Sequence, residues 1–279
     1  MINGFLNYTG SKYKLLEQII PEFDYTKKFF VDLFTGSFVV SANIVDKYDK
    51  ILANDIISEL IGIHKAILES NEIIEKTKAL CPGKDDAEGF SKLRESFNKE
   101  KTPEKLWALI LSSTNNLIRF NQKFEYNQTF GKRTWNENTQ KKVNDFIEHI
   151  RKYKNKIIFT SKHFNEIKLD KPCMLYLDPP YGRLRDVNGN ISNKQISEAG
   201  YNNFFKKEDD IKLYNYIINL NENKHSFMCS GLLEHDGKKS WMLTKLIEDG
   251  FRYKELICDY NKVSRNGIKE SKEIIIMNY

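Results

Sequence analysis

Residues 174–181 have the sequence Met-Leu-Tyr-Leu-Asp-Pro-Pro-Tyr, an apolar run that stops at a carboxylate and two prolines. The run predicts a buried strand, and the prolines predict its end because each fixes φ near about −65° and has no N–H to donate. The turn then offers acceptors, the Asp178 carboxylate and the Pro179 carbonyl, beside the ring of Tyr181. Such a turn suits an amino group attached to a planar ring. The alternative at this point is an ordinary strand end with a surface tyrosine.

The composition indicates a globular protein. The chain of 279 residues is long enough for one large domain or two small ones, and 40% of its residues are hydrophobic. Its longest apolar runs fall far short of the roughly 20 residues that span a bilayer, and no export signal is recognisable, so we expect a cytoplasmic protein that does not bind membranes. The net charge of +6 permits nucleic-acid binding without requiring it. The four cysteines are widely separated, so neither structural zinc nor a disulfide framework is expected.

Strand-like and helical segments alternate along most of the chain. The candidate strands are 29–33, 51–54, 157–160, 174–177, 226–229, 253–258 and 273–277. The helical patterns are 11–20, 38–48, 58–70, 103–118, 139–152, 208–221 and 238–248. This alternation predicts an α/β fold with a doubly wound, mostly parallel sheet. The last two strands leave no room for a helix between them and predict an antiparallel C-terminal hairpin.

The alternation fails between about residues 60 and 150, where the chain is helical and polar. We therefore predict a main α/β domain formed by residues 1–60 and 150–279, with a helical domain inserted at 61–149. Residues 182–203, rich in Gly, Asn and Ser, predict a long loop directly after the turn at 178–181. Such a loop is either a binding loop or disordered.

Two other strand ends carry residues suited to a nucleoside. Gly36 follows the first strand and predicts a tight turn that a ligand can approach closely. The turn lacks the further glycines of the dinucleotide fingerprint, which disfavours a nicotinamide cofactor. Asp55 follows the second strand, where a carboxylate either accepts hydrogen bonds from ribose hydroxyls or caps a helix. Near the N-terminus, Gly10 and Lys12 either approach a carboxylate-bearing ligand or belong to a solvated helix start.

Taken together, these four places resemble the Dam-type (D12 class) DNA adenine-N6 methyltransferases, most closely those of T-even bacteriophages. The family carries Tyr-x-Gly-Ser/Asn-Lys, matched at 8–12, and Phe-Val-Asp-Leu-Phe-x-Gly, matched at 30–36. It also carries Ala-Asn-Asp-Ile, matched at 53–56, and the Asp-Pro-Pro-Tyr at 178–181. The motifs occur in the family's order, and the resemblance covers essentially the whole chain.

The chain departs from the family pattern at three places. Many relatives have a glycine where Phe38 stands, and many bacterial members have an acidic residue near His163. Relatives that recognise GATC commonly have a proline at the position of Thr129. This last difference bears on the target sequence and not on the chemistry.

The resemblance implies S-adenosylmethionine as the methyl donor, without a metal. Its methionine part would be surrounded by Tyr8, Gly10, Lys12, Asp32, Phe34, Gly36 and Ser37, with Asp178 shared between donor and substrate. Asp55 would bind the ribose hydroxyls, and Ile56 and Phe164 would flank the adenine of the donor.

The resemblance also implies a catalytic turn formed by Asp178, Pro179, Pro180 and Tyr181. The target adenine must leave the duplex to reach a buried donor. Its amine would donate to the Asp178 carboxylate and the Pro179 carbonyl, which directs the nitrogen lone pair at the methyl group, while Tyr181 stacks on the base. Positioning and electrostatics would supply most of the rate.

The inserted segment 61–149 is the implied target-recognition domain for double-stranded DNA. The residues expected to contact DNA are Arg119, Asn121, Asn127, Gln128, Lys132 and Arg133. Arginine pairs well with a guanine edge and Asn or Gln with an adenine edge, whereas lysine more often holds phosphate. The alternative is that they are solvated loop residues. We expect GATC or another GAT-containing site and a monomer or weak dimer.

Three other functions compete with this hypothesis. One is methylation of another planar amine, such as cytosine N4 or an RNA base, although cytosine-N4 enzymes tend to have serine in place of Asp178. Another is an inactive DNA-binding regulator, which the intact turn at 178–181 and Gly36 disfavour. A nucleotide-dependent oxidoreductase would need a phosphate-binding glycine loop that is missing.

Overall fold

The computed structural model describes residues 1–8, 10–180, 182–186, 188–195, 205–257 and 271–279. Its strands are β1 (Phe29–Asp32), β2 (Lys50–Asn54), β3 (Ile157–Thr160), β4 (Met174–Leu177), β5 (Arg183–Arg185), β6 (Ile191–Gln195), β7 (Ser226–His235), β8 (Lys238–Lys239), β9 (Arg252–Leu256) and β10 (Ser271–Met277). Its α-helices are α1 (Leu16–Ile19), α2 (Val39–Ile44), α3 (Ser58–Glu69), α4 (Glu72–Leu80), α5 (Ala87–Lys99), α6 (Pro103–Ser112), α7 (Glu137–Ile150), α8 (Lys207–Glu222) and α9 (Trp241–Glu248). Short 3₁₀ turns occur at Lys12–Leu15, Ile20–Glu22, Thr114–Asn116, Arg151–Lys156 and Phe164–Glu166.

Each predicted strand is confirmed among the described residues, and β3 and β4 have the predicted bounds. The last residue of the predicted strand 253–258 lies outside the described residues. The predicted helix 103–118 is too long: α6 ends at Ser112, and Asn115 and Asn116 have positive φ values of 57° and 54° that no α-helix tolerates. The start predicted for the last helix is wrong, because Lys238–Lys239 pair with the end of β7 and Ser240 caps α9 instead.

The chain divides into two compact units. The first consists of residues 1–13 and 35–162, and the second of residues 14–34 and 163–279. In the first unit β2 and β3 pair in parallel, with Ile51 opposite Ile157. The apolar faces of α3 to α7 form much of the rest of its core, and α6 is buried from Leu106 to Ser112. The separate prediction of a target-recognition domain at 61–149 concerns function and stays a prediction.

The second unit is built on the strand order β1-β4-β7-β10-β9. β1, β4 and β7 run parallel, and β10 is antiparallel to both β7 and β9. The sheet is therefore mixed and mostly parallel, with C-terminal antiparallel strands and flanking helices, as predicted. Carboxyl ends of neighbouring parallel strands lie at the same edge of a sheet, so Phe34 and Asp178 come from one edge. Ser230, in the middle of the longer β7, lies beside Asp178 because Leu177 is paired with Cys229.

The expectation of a loop over 182–203 is wrong in its first half. β5 and β6 form an antiparallel two-stranded hairpin, and residues 196–204 lie outside the described residues. No helix in the described part of the chain combines the length and the apolar character needed to cross a membrane.

Candidate functional site

The turn after β4 is half-buried at Asp178, Pro179 and Pro180, so it is open to a ligand on one side. Tyr181 lies outside the described residues. The Asp178 carboxylate accepts a hydrogen bond from Ser230 on β7, with 2.9 Å between Asp178 Oδ1 and Ser230 Oγ. This serine was missed by the sequence interpretation, because its position opposite the turn depends on the pairing of β4 with β7.

Aromatic rings cluster beside this edge in the second unit. The rings of Phe34 and Phe164, both predicted to hold the methyl donor, lie 5.7 Å apart, and Phe164 is buried. Phe205 completes the cluster at 6.2 Å from Phe164, and Tyr216 packs on Phe164 at 6.0 Å. The Tyr216 hydroxyl is buried without a hydrogen-bond partner among the described residues, so a polar ligand group could satisfy it. Asp32, at the end of β1, is also buried.

The turn at Gly36 belongs to the first unit and requires glycine. Gly36 has φ +47°, and a Cβ added there would meet the Tyr8 ring at 3.0 Å. The Gly36 N–H donates to Asp55 Oδ2 at 3.0 Å, so two predicted ligand residues already contact each other. Ser37 follows, buried. The backbone here is held close to the Tyr8 ring and to a carboxylate.

Asp55 is buried, and this burial raises the pKa of its carboxyl to about 6, although hydrogen bonds from backbone N–H groups act in the opposite direction. Ile57 N–H donates to Asp55 Oδ1 at 3.0 Å. Each oxygen of an ionised carboxylate has a second lone pair, so Asp55 can accept further hydrogen bonds. Ile56 beside it is 41% exposed, as a residue must be to contact a bound ring.

His64 supports the Gly36 turn and was missed by the sequence interpretation. Its Nε2 lies 2.8 Å from the Gly36 carbonyl oxygen, and its ring stacks on Phe159. Burial lowers the pKa of His64 to about 4, so the ring is neutral at pH 7 and carries its proton on Nε2, because a carbonyl only accepts. The sequence carried one signal that could have identified His64, namely a histidine within the largely apolar stretch 60–68.

Phe38 explains one departure from the family pattern. It has φ +62°, a conformation that favours glycine, which is the residue many relatives have here. The buried Phe38 ring packs at 5.0 Å from Phe159 and 5.6 Å from His64, and these contacts offset the backbone strain.

The N-terminal segment of the first unit turns at Gly10, which has φ +85°. Ser11 N–H donates to the Tyr8 carbonyl at 3.2 Å, and Lys12 Nζ lies 3.4 Å from the Gly10 carbonyl. Lys12 is only 6% exposed, which is unusual for a lysine. The Tyr8 ring, the Gly36 turn and Asp55 thus form one connected group in this unit.

Asp210 on α8 contacts residues that follow the turn after β4. Its Oδ1 accepts from Arg183 N–H at 3.3 Å, and Arg183 Nε lies 3.9 Å from Oδ2. Burial raises the pKa of Asp210 to about 7. A Cβ at Gly182 would lie 2.6 Å from Asp210 Oδ1, so a larger residue there would displace the Asp210 carboxylate.

Residues 119–127 of the first unit form a hairpin. Asn127 N–H donates to the Arg119 carbonyl, and the Asn121 side chain organises the tip by accepting from the N–H groups of Lys123 and Glu125. Phe124 at this tip is 43% exposed, and the sequence interpretation did not single it out.

The six predicted DNA contacts differ in availability. Arg119, Lys132 and Arg133 are exposed, although one Arg133 nitrogen donates to the Asn116 side chain at 2.6 Å. Gln128 is buried. Its side-chain amide nitrogen donates to the Thr114 carbonyl, and its amide oxygen accepts from the Thr129 N–H. Asn127 is half-buried. The arginines and the lysine are therefore accessible to DNA, whereas Asn121 and Gln128 already have partners within the chain.

An α/β unit whose parallel strands end in a carboxylate turn and an aromatic cluster is typical of an enzyme that binds a nucleoside-containing cofactor. Residues 8–261 match the family model of the D12 class N6 adenine-specific DNA methyltransferases, so this chain belongs to that family.

Curated relatives agree with this assignment. The type II methyltransferase M.FokI of Planomicrobium okeanokoites is 31% identical over 288 residues, which cover 100% of this chain and 43% of that protein. The modification methylase StsI of Streptococcus sanguinis is 30% identical over 295 residues, with the same coverage of both chains. A DNA adenine methylase of Haemophilus influenzae is 25% identical over 191 residues, 65% of this chain and 64% of the relative. The chain thus spans less than half the length of the first two relatives.

Proposed function

We propose that this chain transfers the methyl group of S-adenosylmethionine to the exocyclic N6 amine of an adenine flipped out of duplex DNA. The observation that carries the proposal is the half-buried Asp178-Pro179-Pro180 turn at the carboxyl end of a parallel strand. This turn offers a carboxylate and a carbonyl as acceptors and no proline N–H that could repel an amine. The family assignment supports the same reaction.

S-adenosylmethionine supplies an electrophilic methyl group when it is bound. The residues predicted to hold it are Tyr8, Gly10, Lys12, Asp32, Phe34, Gly36, Ser37, Asp55, Ile56, Phe164 and Asp178. The residues fit such a ligand: Asp55 has spare lone pairs for ribose hydroxyls, and the buried Tyr216 hydroxyl beside Phe164 has no partner among the described residues.

The chain's own groups would orient the adenine. The Asp178 carboxylate and the Pro179 carbonyl accept the two amine hydrogens, which localises the nitrogen lone pair and directs it at the methyl carbon. The amine is a weak nucleophile while its lone pair is delocalised into the ring, so this orientation supplies much of the rate. Stacking of the base on Tyr181 stays a prediction.

Exposed cations support DNA as the substrate. Arg119, Lys132 and Arg133 are exposed in the first unit, where they could contact phosphates or guanine edges. The exposed Phe124 at the hairpin tip supports contact with DNA as well, because proteins use such apolar side chains as wedges between bases. Asn121, Asn127 and Gln128 stay predicted contacts.

The decisive test is Asp178→Ala. We expect radiolabelled methyl transfer to fall to background, while calorimetry shows S-adenosylmethionine binding largely preserved, because the other residues proposed to hold the donor remain. Asp170→Ala is the matched control, because Asp170 is an exposed carboxylate before the other end of β4. Methylation near the wild-type level in the Asp178 variant contradicts the proposal, and labelled N4-methylcytosine in place of N6-methyladenine reassigns the substrate.

The methylated base and the DNA sequence that is recognised can be determined in one further experiment. Single-molecule sequencing of DNA from a methylation-free host that expresses the chain identifies the modified base and the site, for which we propose GATC or another GAT-containing sequence. The names of two relatives, a type II methyltransferase and a modification methylase, support a role in a restriction–modification system. The particular likeness to T-even enzymes, the cytoplasmic location and the monomer or weak dimer stay predictions.

A further inference from the structure

A chain of three side chains ends at the Asp178 carboxylate. Ser230 Oγ lies 2.9 Å from Asp178 Oδ1 and 2.8 Å from the Tyr176 hydroxyl. The register of the parallel strands creates this contact: Leu177 is paired with Cys229, so the next residues along the two strands, Asp178 and Ser230, face each other. Both Tyr176 and Ser230 are fully buried, at 1% and 0% exposure.

The direction of these hydrogen bonds follows from the number of hydrogens available. An ionised carboxylate only accepts, so the single hydroxyl hydrogen of Ser230 points to Asp178. The Ser230 oxygen then accepts from the Tyr176 hydroxyl, which fixes the direction of the whole chain from Tyr176 to Asp178. The Leu177 carbonyl is 3.5 Å from Ser230 Oγ, too far to compete for the same hydrogen.

Such a chain acts on a carboxylate in two ways. A hydrogen bond at Oδ1 restricts rotation of the carboxylate about its last side-chain bond, so Oδ2 has a defined position. A donor to the charged form also favours ionisation. The hydrogen bond between Tyr176 and Ser230 is buried and the one between Ser230 and Asp178 is part-buried, so the two polarise one another and are stronger than they would be in water.

We propose that Ser230, itself held by Tyr176, is a positioning residue that orients the Asp178 carboxylate and keeps it ionised for the amine of the substrate. This inference rests on the proposed methyl transfer, because it assigns Asp178 the role of acceptor. A purely structural role for Ser230 would predict altered stability without altered ionisation of Asp178.

The main test is the pH–rate profile of Ser230→Ala. We expect kcat about tenfold below the wild type at pH 7.5, an unchanged KM for S-adenosylmethionine, and an acidic limb moved upward by about one pH unit. Ser230→Thr keeps the hydroxyl and should restore the wild-type profile. Tyr176→Phe removes only the hydrogen bond from Tyr176 to Ser230. The acidic limb of its pH–rate profile should therefore also move upward, but by less than in Ser230→Ala.

Ser226→Ala is the matched control. Ser226 is a buried serine at the start of the same strand β7, and its hydroxyl donates to another carboxylate, Asp24. This variant should lose stability like Ser230→Ala but keep the wild-type pH–rate profile. A shift of the same size in both variants overturns the inference, as does an unshifted profile in Ser230→Ala.

A measurement without substrate separates this inference from the proposed reaction. In protein carrying ¹³C-labelled aspartate carboxyl groups, the Asp178 resonance is assigned by its loss in Asp178→Asn. We expect its titration midpoint to rise in Ser230→Ala, and an equal midpoint in wild type and variant refutes the contact. If the wild type transfers no methyl group, the proposed reaction fails, and this midpoint still decides whether Ser230 holds the carboxylate.

Discussion

If Asp55 binds the ribose of S-adenosylmethionine, as proposed, we expect its buried carboxylate to make this binding sensitive to pH. Burial raises the pKa of Asp55 to about 6, against hydrogen bonds from the N–H groups of Ile57 and Gly36, so much of the free protein is protonated here at pH 5. Ribose hydroxyls that donate to this carboxylate favour its ionised form. The ionised protein is therefore the form that binds, and binding at low pH must release a proton.

The magnitude follows from the pKa. With a midpoint near 6, about one molecule in eleven is ionised at pH 5 and about ten in eleven at pH 7. The apparent Kd is the intrinsic Kd divided by the competent fraction, so affinity should weaken about tenfold between pH 7 and pH 5. The same raised pKa of Asp55 implies that, without ligand, stability decreases as pH rises from about 4 to about 6, because the folded state binds the proton more tightly than the unfolded state.

Calorimetry at pH 5, 6 and 7, in two buffers of different ionisation enthalpy, measures both the Kd and the protons released. The amino group of the ligand titrates above this range, near about 8, and so contributes little. Asp55→Asn should bind more weakly at pH 7 and lose the pH dependence. Asp46→Asn, which removes an exposed carboxylate of the same unit, should keep it. A wild-type Kd that is equal at pH 5 and pH 7 would refute the reasoning.

Three further predictions concern the glycine turns, α8 and the DNA contacts. Gly36→Ala and Gly10→Ala should each lower the free energy of unfolding by about 1–2 kcal/mol, because alanine is strained at a positive φ. Only in the Gly36 variant would the new Cβ also lie 3.0 Å from the Tyr8 ring, so this variant should be the less stable of the two. Equal stability losses in chemical denaturation would contradict the contact with Tyr8. Burial raises the pKa of Asp210 to about 7, so the free energy of unfolding of the wild type should fall as pH rises from about 4 to about 7. Asp210→Asn should lack this decrease. The same pH dependence of stability in wild type and variant would contradict the prediction. Arg119→Ala should weaken DNA binding and reduce the salt slope by about 1 in fluorescence titrations, whereas Gln128→Ala should mainly reduce stability by about 1 kcal/mol. Weaker DNA binding at unchanged stability in the Gln128 variant would reverse that last assignment.

The strand ends could be predicted because their signals are local. β4 is four apolar residues followed by Asp178 and two prolines, and backbone sterics alone end a strand there. The antiparallel pairing of β9 and β10 was predicted because no helix was expected between the two strands. The hairpin β5–β6 was missed because its strands are short and polar and carry no alternating apolar pattern.

Partners distant in the sequence could not be predicted. Ser230 contacts Asp178 across 52 positions, and His64 contacts Gly36 across 28, so neither pair has a periodic signal. The same holds for Asp210 and Arg183. Gln128 is a case in which the residue type and the structure point to different partners. A glutamine suits an adenine edge, but the Gln128 side chain is buried and its amide donates to the Thr114 carbonyl.

The sequence by itself thus determined which chemical groups end each strand, since apolar runs, glycine and proline act on the backbone over a few residues. It determined the alternation of strands and helices and, through its motifs, the family. Only the tertiary structure decided what the carboxylates of Asp178, Asp55 and Asp210 contact, and that burial raises the pKa of the last two. Hydrogen-bond partners and pKa values depend on residues that are far apart in the chain and are brought together by burial of the core, where water no longer satisfies or screens them.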